Sequence, residues 1–196
     1  TFPDELVTAK REASEAEAGG ERAFDCYGLD YGYWWIELPG QGPDIIDEYE
    51  TIRDELVRSV YGIWHHLKNG GEHGAENLDL EWVGMVPGIR ESRRLMGDYI
   101  LTENDILSNR VFPDAVAYGG WPIDNHTPVG LNDKDLPPST VRHFPGLYTI
   151  PYRCYCCADI PNLMLAGRAL SASTLAMASS RVMGPCSVGG PAAGPA

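Results

Sequence analysis

No Gly-x-Gly-x-x-Gly follows a candidate strand anywhere in this chain. The glycine fingerprint that seats a dinucleotide pyrophosphate at a helix start is therefore missing. Nor does any apolar run approach the ~20 residues of a membrane-spanning helix. Cations are few: 15 Lys and Arg against 28 Asp and Glu leave a formal net charge of -13. Contacts to phosphate need Lys and Arg, so neither nucleic acid nor an anionic membrane is an expected partner. The acidity is read as serving solubility. Five cysteines stand at 26, 154, 156, 157 and 186, without the second Cys or His pair that a structural zinc site requires. They read as free thiols of a reducing compartment, with no metal site expected and cytoplasm the expected location.

What is present reads as an ordinary globular chain, with 43% hydrophobic and 22% charged residues, long enough to bury a sizeable core. Residues 4–23 are rich in Ala and Glu and read as a solvated helical arm ending at Gly19-Gly20. Tyr27 to Leu38 is aromatic and β-prone, closed by Pro39-Gly-Gln-Gly-Pro43. The strongest helix signal runs from Asp44 to Lys68. Ile45, Tyr49, Ile52, Leu56, Val60, Ile63 and Leu67 recur every three or four residues, an amphipathic stripe with Asp44 as N-cap and Asn69-Gly-Gly71 as stop. Three histidines, His65, His66 and His73, trail from its end and are expected to face solvent. Leu78 to Val86 and Ser92 to Leu101 read as strands. Thr102-Glu-Asn-Asp105 has capping-box spacing for a short helix. Val116–Tyr118 and Tyr148–Tyr152 read as short strands flanking a long Pro- and Asp-rich loop, 124–146.

The last thirty-five or so residues are the most telling. Asn162-Leu-Met-Leu-Ala-Gly-Arg168 reads as a short buried strand, followed by Ser171-Ala-Ser173, Ser179-Ser-Arg181-Val-Met183 and Gly189-Gly-Pro-Ala-Ala-Gly194. Small residues let backbone N–H groups approach a ligand closely, and a helix N-terminus favours developing negative charge. This segment resembles the C-terminal flavin-closing part of the large FAD-dependent oxidoreductase family with a two-dinucleotide-binding-type Rossmann core. Trp82-Val-Gly-Met-Val-Pro-Gly-Ile-Arg-Glu-Ser-Arg-Arg94 running into Gly97-Asp-Tyr-Ile-Leu-Thr102 resembles the same family. So do Tyr33-Trp-Trp-Ile-Glu-Leu38, Ile52-Arg-Asp-Glu-Leu56 with Val60-Tyr-Gly-Ile-Trp64, Tyr118-Gly-Gly-Trp-Pro-Ile-Asp-Asn-His126 and Ile150-Pro-Tyr-Arg-Cys154.

The resemblance implies an α/β chain with three parts. These are a helical arm (1–26), a mixed α+β substrate-side domain (27–160), and the return strand and helix of an FAD-binding Rossmann domain (161–196). With the pyrophosphate fingerprint absent, the chain reads as the C-terminal portion of a longer enzyme, whose N-terminal FAD-binding half is an expected partner. It also implies FAD as cofactor, with Gly167 and Arg168 under the flavin, Arg181 in the following loop, and Gly189 and Gly190 at the start of the last helix. The family commonly has His where Thr174 stands and Gln where Pro191 stands.

The protein groups such an enzyme needs are few, because the flavin carries the redox step. His126 is the candidate general base or substrate ligand, its imidazole suited to proton transfer near neutral pH. Asp124, two residues earlier, would orient it in an extended segment. A loop histidine bonded to backbone is the competing reading. In the Arg90-Glu-Ser-Arg-Arg94 cluster, Arg90 and Arg93 point to opposite faces if the segment is extended. Each offers bidentate donors to an anionic or hydroxyl-rich small-molecule substrate; an ion-pair network fastening two domains is the alternative. Tyr152 and Arg153 are candidates for capping the substrate pocket. From other classes, a carbohydrate-binding module would use Trp34, Trp35, Trp82 and Trp121. A metal-dependent hydrolase built on Asp124 and His126 lacks any His-Glu-x-x-His-like cluster.

Overall fold

A computed structural model describes residues 45–70, 75, 77–90, 92–126, 137 and 139–194. The helical arm, the Tyr27–Leu38 strand, Asp44, Gly71 and His73 lie outside the described residues. The chain divides into two compact units, Thr1–Arg90 with His126–Pro138 and Glu91–Asn125 with Ser139–Ala196.

The first unit is organised by α1, Tyr49–Asn69. Its periodic apolar residues lie on a half-buried face, and Leu67 is buried outright. Residues 45–48 form a turn ahead of it, and the N-cap, Glu48, makes no side-chain capping bond. The helix stops where Gly70 donates its backbone N–H to the His66 carbonyl at 2.7 Å; a Cβ on Gly70 would sit 2.9 Å from the His66 ring. His66 is thus half-buried rather than solvent-facing, whereas His65 is exposed and contacts Asn69 at 3.1 Å. The strand expected over Leu78–Val86 does not form. The run is irregular and mostly exposed, with Trp82 73% accessible, because alternation yields a strand only where a partner strand supplies the ladder. Lys68 instead reaches the Leu78 carbonyl, and Tyr49 donates to the Pro87 carbonyl at 3.2 Å.

The second unit holds α2 (Glu103–Leu107), β1 (Ala115–Gly119), β2 (Ile123–His126, whose last residue falls in the first unit), β3 (Ser139–Arg142) and β4 (Tyr148–Pro151). After them come α3 (Thr174–Ser180) and α4 (Met183–Ala193). The two expected short strands formed, and β1 and β4 pair antiparallel, Gly119 opposite Tyr148 and Ala117 opposite Ile150. Strands β2 and β3 pair within the stretch expected to be one long loop. Thr102 and Asp105 close a complete capping box on α2. Beside the ladder, three irregular runs exchange single bonds. Leu95 donates to Ala169, Leu101 to Ser171, Tyr99 to Arg153 and Leu165 to Tyr155.

Two expected strands are therefore reduced to bridges. Ser92–Leu101 retains only the pairs Gly97–Cys157 and Leu101–Ala172, and Asn162–Arg168 only Cys156–Met164. Gly97 shows why: a Cβ there would lie 2.7 Å from the Arg153 carbonyl oxygen and 2.8 Å from Ser171 Cβ. Gly167, at φ +73°, turns the second run into a short 3₁₀ turn, Gly167–Ala169. The core forms around Leu101, Ile106, Ile123, Tyr148, Ile150 and Tyr155, all fully buried. The fold is mixed α+β, and among the described residues no sheet exceeds two strands.

Candidate functional site

The last helix is placed by two close approaches. Gly119 of β1 lets the Tyr148 ring cross the strand: a Cβ there would fall 2.5 Å from Tyr148 Cζ and 3.1 Å from Pro185 of α4. Gly189, buried within α4, admits the Tyr155 ring, whose hydroxyl would lie 2.7 Å from a Cβ. The 3₁₀ turn at Gly167–Ala169 packs against the same helix. Gly189 and Gly190 consequently do not begin the helix. It starts at Met183, with Val182 as an N-cap that offers no side-chain bond. The expectation failed because a Gly-Gly-Pro run has poor intrinsic helix propensity. Here Gly189 is required inside the helix by the ring against it, and Pro191 stands in the helix interior rather than in its first turn.

The first turn of α4 leaves backbone N–H groups without helical partners at Met183 and Gly184, while Pro185 has none to leave. Chain neighbours and the helix's own backbone aside, no atom of the described residues lies within 4 Å of a Cβ built on Gly184, on Gly190 or on Gly167. Arg168, in the turn, lies beside Cys186 of α4; burial pushes that thiol up and the nearby guanidinium draws it partly back.

Of the residues singled out from sequence, two come together. Arg181, the C-cap of α3, donates from one Nη atom to the Asp124 carbonyl and to its carboxylate, each at 3.3 Å. Both side chains are largely buried, 13% and 23% exposed. His126 is half-buried at the end of β2, and Arg90 is half-buried; both belong to the first unit. Arg93 is exposed in the second. Arg153 forms a two-point contact with Asp114, at 2.8 and 3.3 Å, and lies over the Tyr99 ring. Tyr152 directs its hydroxyl at Met164 Sδ, 3.6 Å away. Trp82 and Trp121, both exposed, belong to different units.

Three features escaped the sequence reading. Helix α3 was read as a polar loop, although Ser173 caps it by accepting the Ala176 N–H at 3.1 Å; an N-cap serine is the signal that could have found it. Arg94 reaches across to that helix, donating to Thr174 Oγ1 at 3.2 Å and to Met177 Sδ at 3.1 Å. Tyr148 shares a 2.9 Å hydrogen bond with Ser179, whose hydroxyl also meets the Trp121 carbonyl. Burial pushes the Tyr148 phenol up to about 12, the Ser179 bond opposing it.

Compared with known proteins, residues 6–196 match the family model described as FAD dependent oxidoreductase. No curated protein and no solved structure matches the chain. The residues present suit such a cofactor: glycine backbone stands open at Gly167, Gly184 and Gly190, and the α4 N-terminus lacks a side-chain cap. No group of three or more metal-ligating side chains occurs among the described residues. No described helix is long and apolar enough to cross a membrane. A match running from residue 6 to the final residue places this chain in the FAD-dependent oxidoreductase family, whose cofactor is FAD.

Proposed function

We propose that the chain contributes the flavin-closing segment of an enzyme that takes hydride from a small organic substrate, with a hydroxyl-bearing carbon as the donor. The observation that carries this reading is the uncapped start of α4 with open glycine backbone at Gly184. Bound there, FAD would supply the hydride acceptor. The Met183 and Gly184 N–H groups, aligned with the helix dipole, favour the negative charge of a reduced flavin. This role passes to them from Gly189 and Gly190, which lie farther along the helix. Gly167 and Arg168 are proposed to line the flavin from the turn that packs on α4.

His126 takes the substrate proton in this proposal, neutral imidazole being the acceptor that oxidation of an alcohol or amine requires. Arg90 and Arg93 are each proposed as donors to an anionic or hydroxyl-rich substrate. For Tyr152 and Arg153, the bonds to Met164 and Asp114 favour fastening of the fold over substrate contact. The test is anaerobic mixing of the flavin-loaded protein with a panel of small alcohols and hydroxy acids. A matched donor should bleach the oxidised flavin and do so more slowly when its reacting carbon carries deuterium. Bleaching by dithionite, but by none of these donors nor by amines, would overturn the hydride-transfer assignment.

A further inference from the structure

We infer that Asp124 is a positioning residue for Arg181, holding that guanidinium for the negative charge that develops on a reduced flavin. The inference rests on the flavin reading above and adds to it how that charge is met. Arg181 ends α3, and the next residue, Val182, is the N-cap of α4. Its guanidinium is therefore tied by the chain to the helix start whose first-turn N–H groups lack a side-chain cap.

An arginine side chain left to itself samples many rotamers. This one is held from β2, where a single Nη atom binds both the carbonyl and the carboxylate of Asp124 at 3.3 Å. The anchor is stiff, because Ile123 beside it is fully buried in the core. Among the described residues the remaining guanidinium nitrogens, Nε and Nη1, have no protein acceptor, so donors remain for a ligand. A donor fixed before charge develops stabilises it without reorganising. Asp124 thus acts through Arg181 rather than on substrate. That is a different role from the one its spacing to His126 suggested.

The test combines Asp124→Asn, Arg181→Ala and the double variant, measured for FAD dissociation constant, flavin reduction potential and thermal midpoint. Each single change should weaken FAD binding by about 10-fold, the loss of one charge-assisted contact, and should lower the reduction potential. The double variant should be no worse than Arg181→Ala. Arg181→Lys, which keeps the charge, should hold the potential near that of the wild type if the alanine variant fails to fold. The sign for Asp124→Asn is decisive. A raised potential would mean that Asp124 acts as a charge in its own right, and would overturn the inference. Additive effects in the double variant, or unchanged flavin properties in folded single variants, would overturn it too. A wild-type protein that binds no FAD would overturn the flavin reading and this inference together.

Discussion

The two buried tyrosines that seat α4 should respond with opposite signs to the same chemical change. Both are fully buried. The Tyr148 hydroxyl is bonded to Ser179 at 2.9 Å, whereas the Tyr155 hydroxyl has no hydrogen-bond partner among the described residues, and burial raises its phenol far above the ordinary range. A buried hydroxyl without a partner costs about 1–3 kcal/mol. Tyr155→Phe removes that cost and leaves only a hydroxyl-sized gap, so it should stabilise by about 1 kcal/mol. Tyr148→Phe loses a made bond and strips Ser179 of one partner, a destabilisation of about 1–2 kcal/mol. For a chain of this length 1 kcal/mol moves the thermal midpoint by about 2–4 °C. The two variants should therefore differ by roughly 4–12 °C in a calorimetric melt. Gly189→Ala extends the argument. It gains about 1 kcal/mol of helix propensity but places a methyl 2.7 Å from the Tyr155 hydroxyl and 2.9 Å from Cε1, an overpacking of about 1–3 kcal/mol. The net loss should shrink when Tyr155→Phe is combined with it. A Tyr155→Phe protein that melts below the wild type by as much as Tyr148→Phe would refute the reasoning.

Asp105 should give the second unit an acid limit. Burial alone would raise its carboxyl, but bonds from Thr102, Arg110 and Tyr99 outweigh that and hold it below the usual range. A depressed folded value means its stabilisation is present above the unfolded value, about pH 4, and is lost as pH falls through the folded one. Asp105→Asn should flatten the acid limb of a stability–pH curve; an unchanged limb counts against the network. Gly119→Ala must displace the buried Tyr148 ring and should cost about 2–4 kcal/mol, seen as a lowered denaturant midpoint at unchanged slope. Arg90→Ala and Arg93→Ala should each lower turnover more than the thermal midpoint; loss of folding without a selective kinetic effect would favour a structural role.

Local chemistry was legible and distant chemistry was not. The Thr102–Asp105 capping box, the α1 stripe and the β1 and β4 runs are set by neighbours within a few residues; the box, β1 and β4 formed close to where their patterns placed them, whereas α1 begins at Tyr49, behind a turn, rather than directly after Asp44. The start of α4 was misplaced because local glycine content was read as a boundary. Its real cause is a ring packed on Gly189 from a residue far away in the chain. The alternation of Leu78–Val86 carried no information about a partner strand. The Asp124–Arg181 pair joins residues 57 apart, so spacing suggested His126 as the partner of Asp124 and was silent on the arginine. Helix α3, built from Thr, Ser and Ala around one Met and one Leu, has too weak a propensity signal to stand out from a loop.

Closure of a flavin site at the start of α4 is tested most directly by FAD binding to the chain joined to an FAD-binding half that carries the pyrophosphate fingerprint the chain lacks, followed by flavin fluorescence and visible absorption. Wild-type protein should quench and red-shift the flavin, and Gly184→Val, which fills the open space above the first turn, should weaken binding at least about 10-fold while leaving the thermal midpoint of the unliganded protein intact. A folded wild type that leaves added FAD spectrally unchanged, or a Gly184→Val variant that binds as tightly as the wild type, would contradict it.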